Sequence, residues 1–338
     1  MSGARPALLV TSGLLLLGLS VSVAVTIGPA DLTPAEVWRS AAARFGWGES
    51  PLTRLREGIV WNLRMPRTLL AAVCGAGLAV CGAVMQSLLR NPLADPFVLG
   101  VSSGASTGAV LVTVLGWGVG AVSLPAGAFA GALLSFGMVM LLSHSLGGSM
   151  DRVVLSGVAA MQLFSALTSF IVLTSADADT TRAVLFWLLG SLGGAGWTDV
   201  LLGAAVLCLV LAVCLAHTTT LDAFAFGEEA AANLGVRVGR ARVLLLSATA
   251  LLTAVLVSST GAIGFVGLVL PHAARALTGS SHARLLPVTA LAGAVFLVWV
   301  DTVARTALDP QEIPVGVVTS LIGVPAFVAV LYRVRRKT

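Results

Sequence analysis

Long stretches without any charged residue alternate along the chain with short stretches where charges gather. A helix needs about 20 apolar residues, rising about 1.5 Å each, to cross a hydrocarbon core. Ala7–Ile27 is one such run, and Thr68–Leu89, bracketed by Arg67 and Arg90, is a second. From Phe97 to Met150 there is no Asp, Glu, Lys or Arg. That is too long for one crossing, and "GWGVGAVSLP" divides it into a third and a fourth. Val153–Ser175 predicts the fifth and Val200–His217 the sixth. Ala183–Gly196 is apolar but short and glycine-rich, which suits a half-buried helix or a surface turn. Val243–Ala274 holds 32 uncharged residues, including Gly261, Gly264, Gly267 and Pro271, and a break near Gly261 makes spans seven and eight. Leu285–Val300 begins the ninth, and Pro314–Tyr332 is the tenth. The pattern predicts an all-α, polytopic membrane protein with about ten transmembrane helices. Residues 1–338 read as one domain, with no repeat or linker visible.

Ten crossings put both termini on one side, and the basic residues choose it. With the N-terminus inside, inner segments hold twelve of the twenty Lys and Arg and outer segments eight. That bias predicts cytoplasmic termini and places 218–242 in the cytoplasm. The outer arginines concentrate in the 28–67 loop, beside Asp31, Glu36, Glu49 and Glu57.

Composition strengthens the membrane reading. Only 10% of the residues are charged and 57% are hydrophobic, whereas a soluble domain carries about 25% charged residues. Ala7–Ile27 could also be a signal peptide. Its 21 residues exceed an h-region of about 7–15, so it is read as the first span. The net charge of +5 raises the question of nucleic acid. No aromatic-interleaved basic stretch or nucleic-acid motif is present, so no such partner is expected. Cys74, Cys81, Cys208 and Cys214 lie in apolar runs without a C-x-x-C pair and read as small packing residues.

Several chemistries lack their residues. There is no G-x-x-x-x-G-K-[ST], hence no phosphate-cradling loop, and neither G-x-S-x-G nor H-E-x-x-H occurs. His144, His217, His272 and His282 are scattered at predicted span ends, so no metal cluster is expected. Ion-coupled carriers keep a carboxylate near mid-membrane. None of the spans has one, and Asp301 sits toward the outer end of span nine, one turn before Arg305. The energy source is therefore expected outside this polypeptide, and an external motor needs a docking surface.

One polar stretch offers it. In "GEEAAANLGV", Gly227 can start a helix, and Glu228 and Glu229 fall in its first turn, where acidic groups favour the positive end of the dipole. The alanines favour helix and Gly235 is a natural stop. Such a helix, about two turns long, is too short to be stable alone in water. It is either a partner's docking element or a cytoplasmic loop held by its own neighbours.

Glu229-Ala230-Ala231, then three residues, then Gly235, resembles the EAA-x3-G loop of ABC importer permeases. In that superfamily the loop is a coupling helix seated in a groove of the ATPase. "NLRMPRTLLAAVCGAGLAVCGAVMQSLLRNPLADPFVLGVSSGAS", "GAIGFVGLVLPHAARAL" and "IPVGVVTSLIGVPAFVAVL" resemble the FecCD-type permeases, which import iron-siderophores, haem and cobalamin. The resemblance runs from about residue 8 to 336. It implies a homodimer or pseudo-dimer of ten-span subunits in the bacterial cytoplasmic membrane, surrounded by lipid. Two ABC ATPase subunits lie below and an extracytoplasmic substrate-binding protein docks above. It implies no cofactor in this chain, with ATP and Mg on the partner ATPase. A ferric siderophore is the first expectation for the substrate, with haem and cobalamin beside it.

The resemblance also assigns roles. Gly227, Glu228, Glu229, Ala230, Ala231 and Gly235 are expected to couple to the ATPase. Arg64, Arg67 and Arg305, outer arginines against the positive-inside trend, are expected to meet carboxylates of the binding protein, for which Arg is suited; lipid-headgroup contact is the alternative. Asn91 and Leu93, in "RNPLADP", fall at a cytoplasmic constriction. Met150 and Asp151 align with a second one, often small and hydroxylated in relatives. This sequence departs there, and plain loop structure is the alternative for all four. The pairs Gly100/Gly104, Gly104/Gly108 and Gly127/Gly131 have GxxxG spacing, which allows close packing within the subunit or across a dimer.

Overall fold

Glycines and prolines that interrupt the apolar runs set the helix boundaries. The computed structural model describes residues 4–28, 30, 32–44, 46–114, 123–174 and 178–335. The helices are α1 (Ala4–Thr26), α2 (Pro34–Arg44), α3 (Arg54–Gly58), α4 (Met65–Leu88), α5 (Val101–Val114), α6 (Leu124–Ser145), α7 (Met150–Thr174) and α8 (Ala178–Leu188). They continue as α9 (Trp197–Ala216), α10 (Thr218–Phe224), α11 (Glu228–Asn233), α12 (Val238–Thr260), α13 (Val266–Thr278), α14 (His282–Thr306) and α15 (Val315–Arg335). Among the described residues there is no strand.

Seven of these are long and apolar enough to cross a membrane. The apolar α5 and α15, with the 13-residue α13, bring the total to about ten, consistent with the hydropathy pattern. Most of the "GWGVGAVSLP" divide falls outside the described residues. Span two starts earlier than predicted. α3 runs through a π-helical turn at 59–64 into α4. Pro66 has no N–H for the i−4 carbonyl, and the wider turn accommodates that loss.

α4 is the central helix, buried along almost its whole length. It packs on α14 and α13 with backbones touching. A Cβ at Gly75 would lie 2.1 Å from the Gly293 carbonyl oxygen, and one at Gly82 would lie 1.9 Å from that of Gly267. The GxxxG glycines act within the subunit, where Gly104 faces Gly131 and Gly108 faces Gly127 across α5 and α6. The break between α12 and α13 falls at Gly261, whose φ of +68° only glycine adopts freely and whose Cβ position is filled by the Trp187 carbonyl. Three irregular segments knit together there. Ser191 N–H donates to Thr260 O at 2.8 Å, and Val315 N–H to Gly190 O at 2.9 Å. The predicted half-buried helix before span six is α8 with the turn that follows it.

Candidate functional site

After α10, Gly227 turns the chain with φ +107° and α11 follows for six residues. Its C-terminus closes with a double hydrogen bond. Val236 N–H donates to Ala231 O at 3.0 Å and Gly235 N–H to Ala232 O at 2.9 Å, with Gly235 left-handed at φ +84°. This glycine-terminated cap satisfies carbonyls that a helix end otherwise leaves open. Ala231 faces inward and is fully buried. Glu229, Ala232, Asn233 and Gly235 face out, and Leu234 is 72% exposed. A two-turn helix without lasting stability of its own is thus held by one buried alanine, a cap and an ion pair between Glu228 and Arg242.

Beside it lies a cavity of about 430 Å³. All four residues predicted for a constriction, Asn91, Leu93, Met150 and Asp151, line it, with Val154 and Leu155. Asn91 and Leu93 come from the α4–α5 connection, where the Asn91 side-chain oxygen accepts from Leu93 N–H at 2.9 Å. Met150 and Asp151 belong to the first turn of α7 rather than to a loop before it, because Ser149 O accepts from Arg152 and Val153 N–H and starts the helix. Between the two strips, Asp95 caps the turn at Pro96–Leu99 by accepting from Phe97 N–H at 2.9 Å.

The three outer arginines at the other end all make contacts within the subunit. Arg64 is buried and donates to the carbonyls of Val25 and Thr26, both at 3.1 Å, and of Ala30 at 3.2 Å. The carbonyls of Val25 and Thr26 end α1 and need donors, and that of Ala30 lies in the segment beyond it. Arg67 Nε donates to both oxygens of Asp301 at 3.0 and 3.1 Å, and its Nη1 to both of Glu312 at 2.8 and 3.0 Å. Arg305 donates to the Ala24 carbonyl and lies 4.0 Å from Asp301. All three line a cavity of about 420 Å³, whose rim carries Glu312 and Asp309. Pairing partners more than 230 residues away, as in Arg67–Asp301, leave no trace in local spacing.

Other groups escaped the sequence reading. Arg242, in sequence one of the inner basic residues, contacts both Glu228 and the Gly148 carbonyl. His282, at the start of α14, meets Asp222 of α10, Nδ1 to Oδ1 at 2.5 Å. Among the described residues, no three His, Cys, Asp or Glu side chains gather as a metal site would require.

The model of the FecCD transport family matches residues 14–333. The cobalamin import system permease protein BtuC of Halobacterium salinarum is 45% identical over 275 residues, 81% of this chain and 73% of its own length. The hemin transport system permease protein HmuU of Yersinia pestis is 39% identical over 283 residues, 82% of this chain and 84% of its own. A solved structure described as an inward-facing conformation of a metal-chelate type ABC transporter aligns with a TM-score of 0.83 at 31% identity, covering 96% of this chain and 98% of that chain.

Proposed function

This chain belongs to the FecCD transport family, and from that premise we propose that it is the permease that moves an iron(III)-siderophore complex inward under the drive of a separate ATPase. The observation that carries the reading is the pairing of α11 with the cavity beside it. A short helix exposes Glu229, Ala232, Asn233 and Leu234 at the end where Asn91, Leu93, Met150 and Asp151 converge. Two ATPase subunits would take up that face in the cytoplasm, with both termini on the same side, and ATP with Mg would stay on those subunits.

A second copy of the chain completes the pathway in this reading. An apolar cavity of about 610 Å³, lined by Leu188, Leu189, Gly316, Leu321 and Val324, opens between α8 and α15 and supports a partner helix there. A substrate-binding protein would dock at the far end, where Arg64, Arg67 and Arg305 line one cavity with Glu312 and Asp309. The metal-chelate type transporter supports a bulky metal chelate as the cargo, a class that includes ferric siderophores. The relatives named for hemin and cobalamin favour a second reading, in which the same machinery carries one of those chelates.

The coupling assignment is tested by Glu229→Arg and Gly235→Pro in proteoliposomes that contain the partner ATPase. Both variants are expected to insert and fold while ATP-driven uptake falls below a tenth of the native rate. Native uptake in either would overturn the assignment of α11.

A further inference from the structure

We infer that Arg242 is the positioning residue that carries movement of α11 to the cavity wall formed by Asn91, Leu93, Met150 and Asp151. This rests on the importer reading above and adds the link which that reading leaves open.

Arg242 stands near the start of α12 with its side chain only 12% exposed. One guanidinium nitrogen pairs with the carboxylate of Glu228, the first residue of α11. The other terminal nitrogen donates to the carbonyl of Gly148. Gly148 lies in the turn between α6 and α7, two residues before Met150. In that turn Gly147 and Gly148 are both left-handed, at φ +102° and +70°, which glycine accepts without strain, so the bond from Arg242 is what fixes Gly148 relative to α12. One rigid fork therefore ties the first turn of α11 to the segment that sets the first turn of α7.

The opposite flank of the cavity is reached from the same place. A Cβ on Gly227 would lie 3.4 Å from Arg90 Nη1, so the Arg90 guanidinium rests against the residue that starts α11. Arg90 directly precedes Asn91 and holds φ at +48°. The start of α11 thus touches two arginines, one leading to each strip of the cavity wall. The Arg90 contact is packing alone, whereas Arg242 is bonded at both ends, so Arg242 is the firmer link. A planar guanidinium presents several donors at once in fixed directions, while a Lys ammonium is a single point on a flexible stem. Lysine can keep the charge near Glu228 without holding Gly148 in the same geometry.

A static brace would look alike in one structure, so the test must read motion. Leu93→Cys is placed in a chain whose one exposed cysteine is removed by Cys208→Ser; Cys74, Cys81 and Cys214 are buried. The chain is assembled with its ATPase in nanodiscs. The labelling rate of the introduced thiol by a charged maleimide is compared without nucleotide and with ATP and vanadate. With Arg242 present, the two rates are expected to differ at least about fivefold, the low end of typical coupling between sites. In Arg242→Lys and Arg242→Met that ratio is expected to fall to near one, while the ATPase still copurifies and the melting curve is kept. Arg242→Lys is decisive, because it lies outside α11, keeps the charge beside Glu228 and changes only the fork that reaches Gly148. A native ratio in Arg242→Lys overturns the link while the importer reading stands. No nucleotide response with Arg242 present overturns both.

Discussion

Removing Arg67 should destabilise the bundle by several kcal/mol, beyond any effect on docking. Arg67 is the direct partner of Asp301, whose side chain is 2% exposed, and it holds that carboxylate through contacts of 2.9 to 3.1 Å. Arg67→Met keeps most of the apolar stem and deletes the charge. Asp301 is then left with Arg305 at 4.0 Å, beyond a direct hydrogen bond. Stranding one member of a buried ion pair costs about 3–5 kcal/mol. At about 1.4 kcal/mol per decade that lowers the folding equilibrium by roughly two to three and a half decades. Glu312 is 41% exposed, so Glu312→Gln should cost only about 0–1 kcal/mol. Arg67→Met/Asp301→Leu, which removes both charges, should recover most of the loss, because apolar replacement of a buried pair is often neutral or better. Reversible unfolding in mixed micelles gives the three values on one scale. A native stability for Arg67→Met, with loss of stimulation by the binding protein, would refute the reasoning and return Arg67 to the docking surface.

Two further outcomes follow from the geometry. Gly108→Ala places a Cβ 2.0 Å from the Gly127 carbonyl oxygen and should destabilise by about 1–3 kcal/mol, whereas Gly137→Ala meets open space and should be neutral or stabilising by up to about 1 kcal/mol; equal melting points would contradict the α5–α6 packing. The Thr33 N–H and hydroxyl both donate to the Glu36 carboxylate at the start of α2, at 2.8 and 2.9 Å, and the backbone bond above all holds that carboxyl below its usual range. A depressed carboxyl stabilises above its unfolded pKa and loses that contribution as pH falls through its folded pKa. Proteolytic nicking of the 28–53 segment should therefore rise as the solution is acidified, and Glu36→Gln should flatten that profile.

The spans were legible because lipid leaves few solutions for a backbone, and uninterrupted apolar length reports them directly. The break at Gly261 was legible for a related reason, since only glycine accepts that φ without strain. α11 was visible through its alanines and Gly235, residues that act on their own neighbours. The choice between packing within the subunit and across a dimer was not visible at Gly104 and Gly108, because spacing along one helix does not name the helix opposite. The contacts that the outer arginines make inside the subunit were hidden for the same cause. Their exceptional position was plain, but Asp301 and Glu312 lie 234 and 245 residues beyond Arg67 and the end of α1 lies 38 residues before Arg64. Arg242 shows the limit most clearly: a residue fourteen positions from Glu228 reads as one more inner charge until the fold closes the loop between them.

The most direct test of the account is substrate uptake by this chain reconstituted with its genomically adjacent ATPase and binding protein. Ferric siderophores, haem and cobalamin are supplied in parallel, with and without ATP. The account expects uptake of one chelate only with ATP and the loaded binding protein, and a ferric siderophore as that chelate. Uptake that persists without ATP and collapses with an uncoupler would contradict it, and would identify an ion-coupled carrier instead.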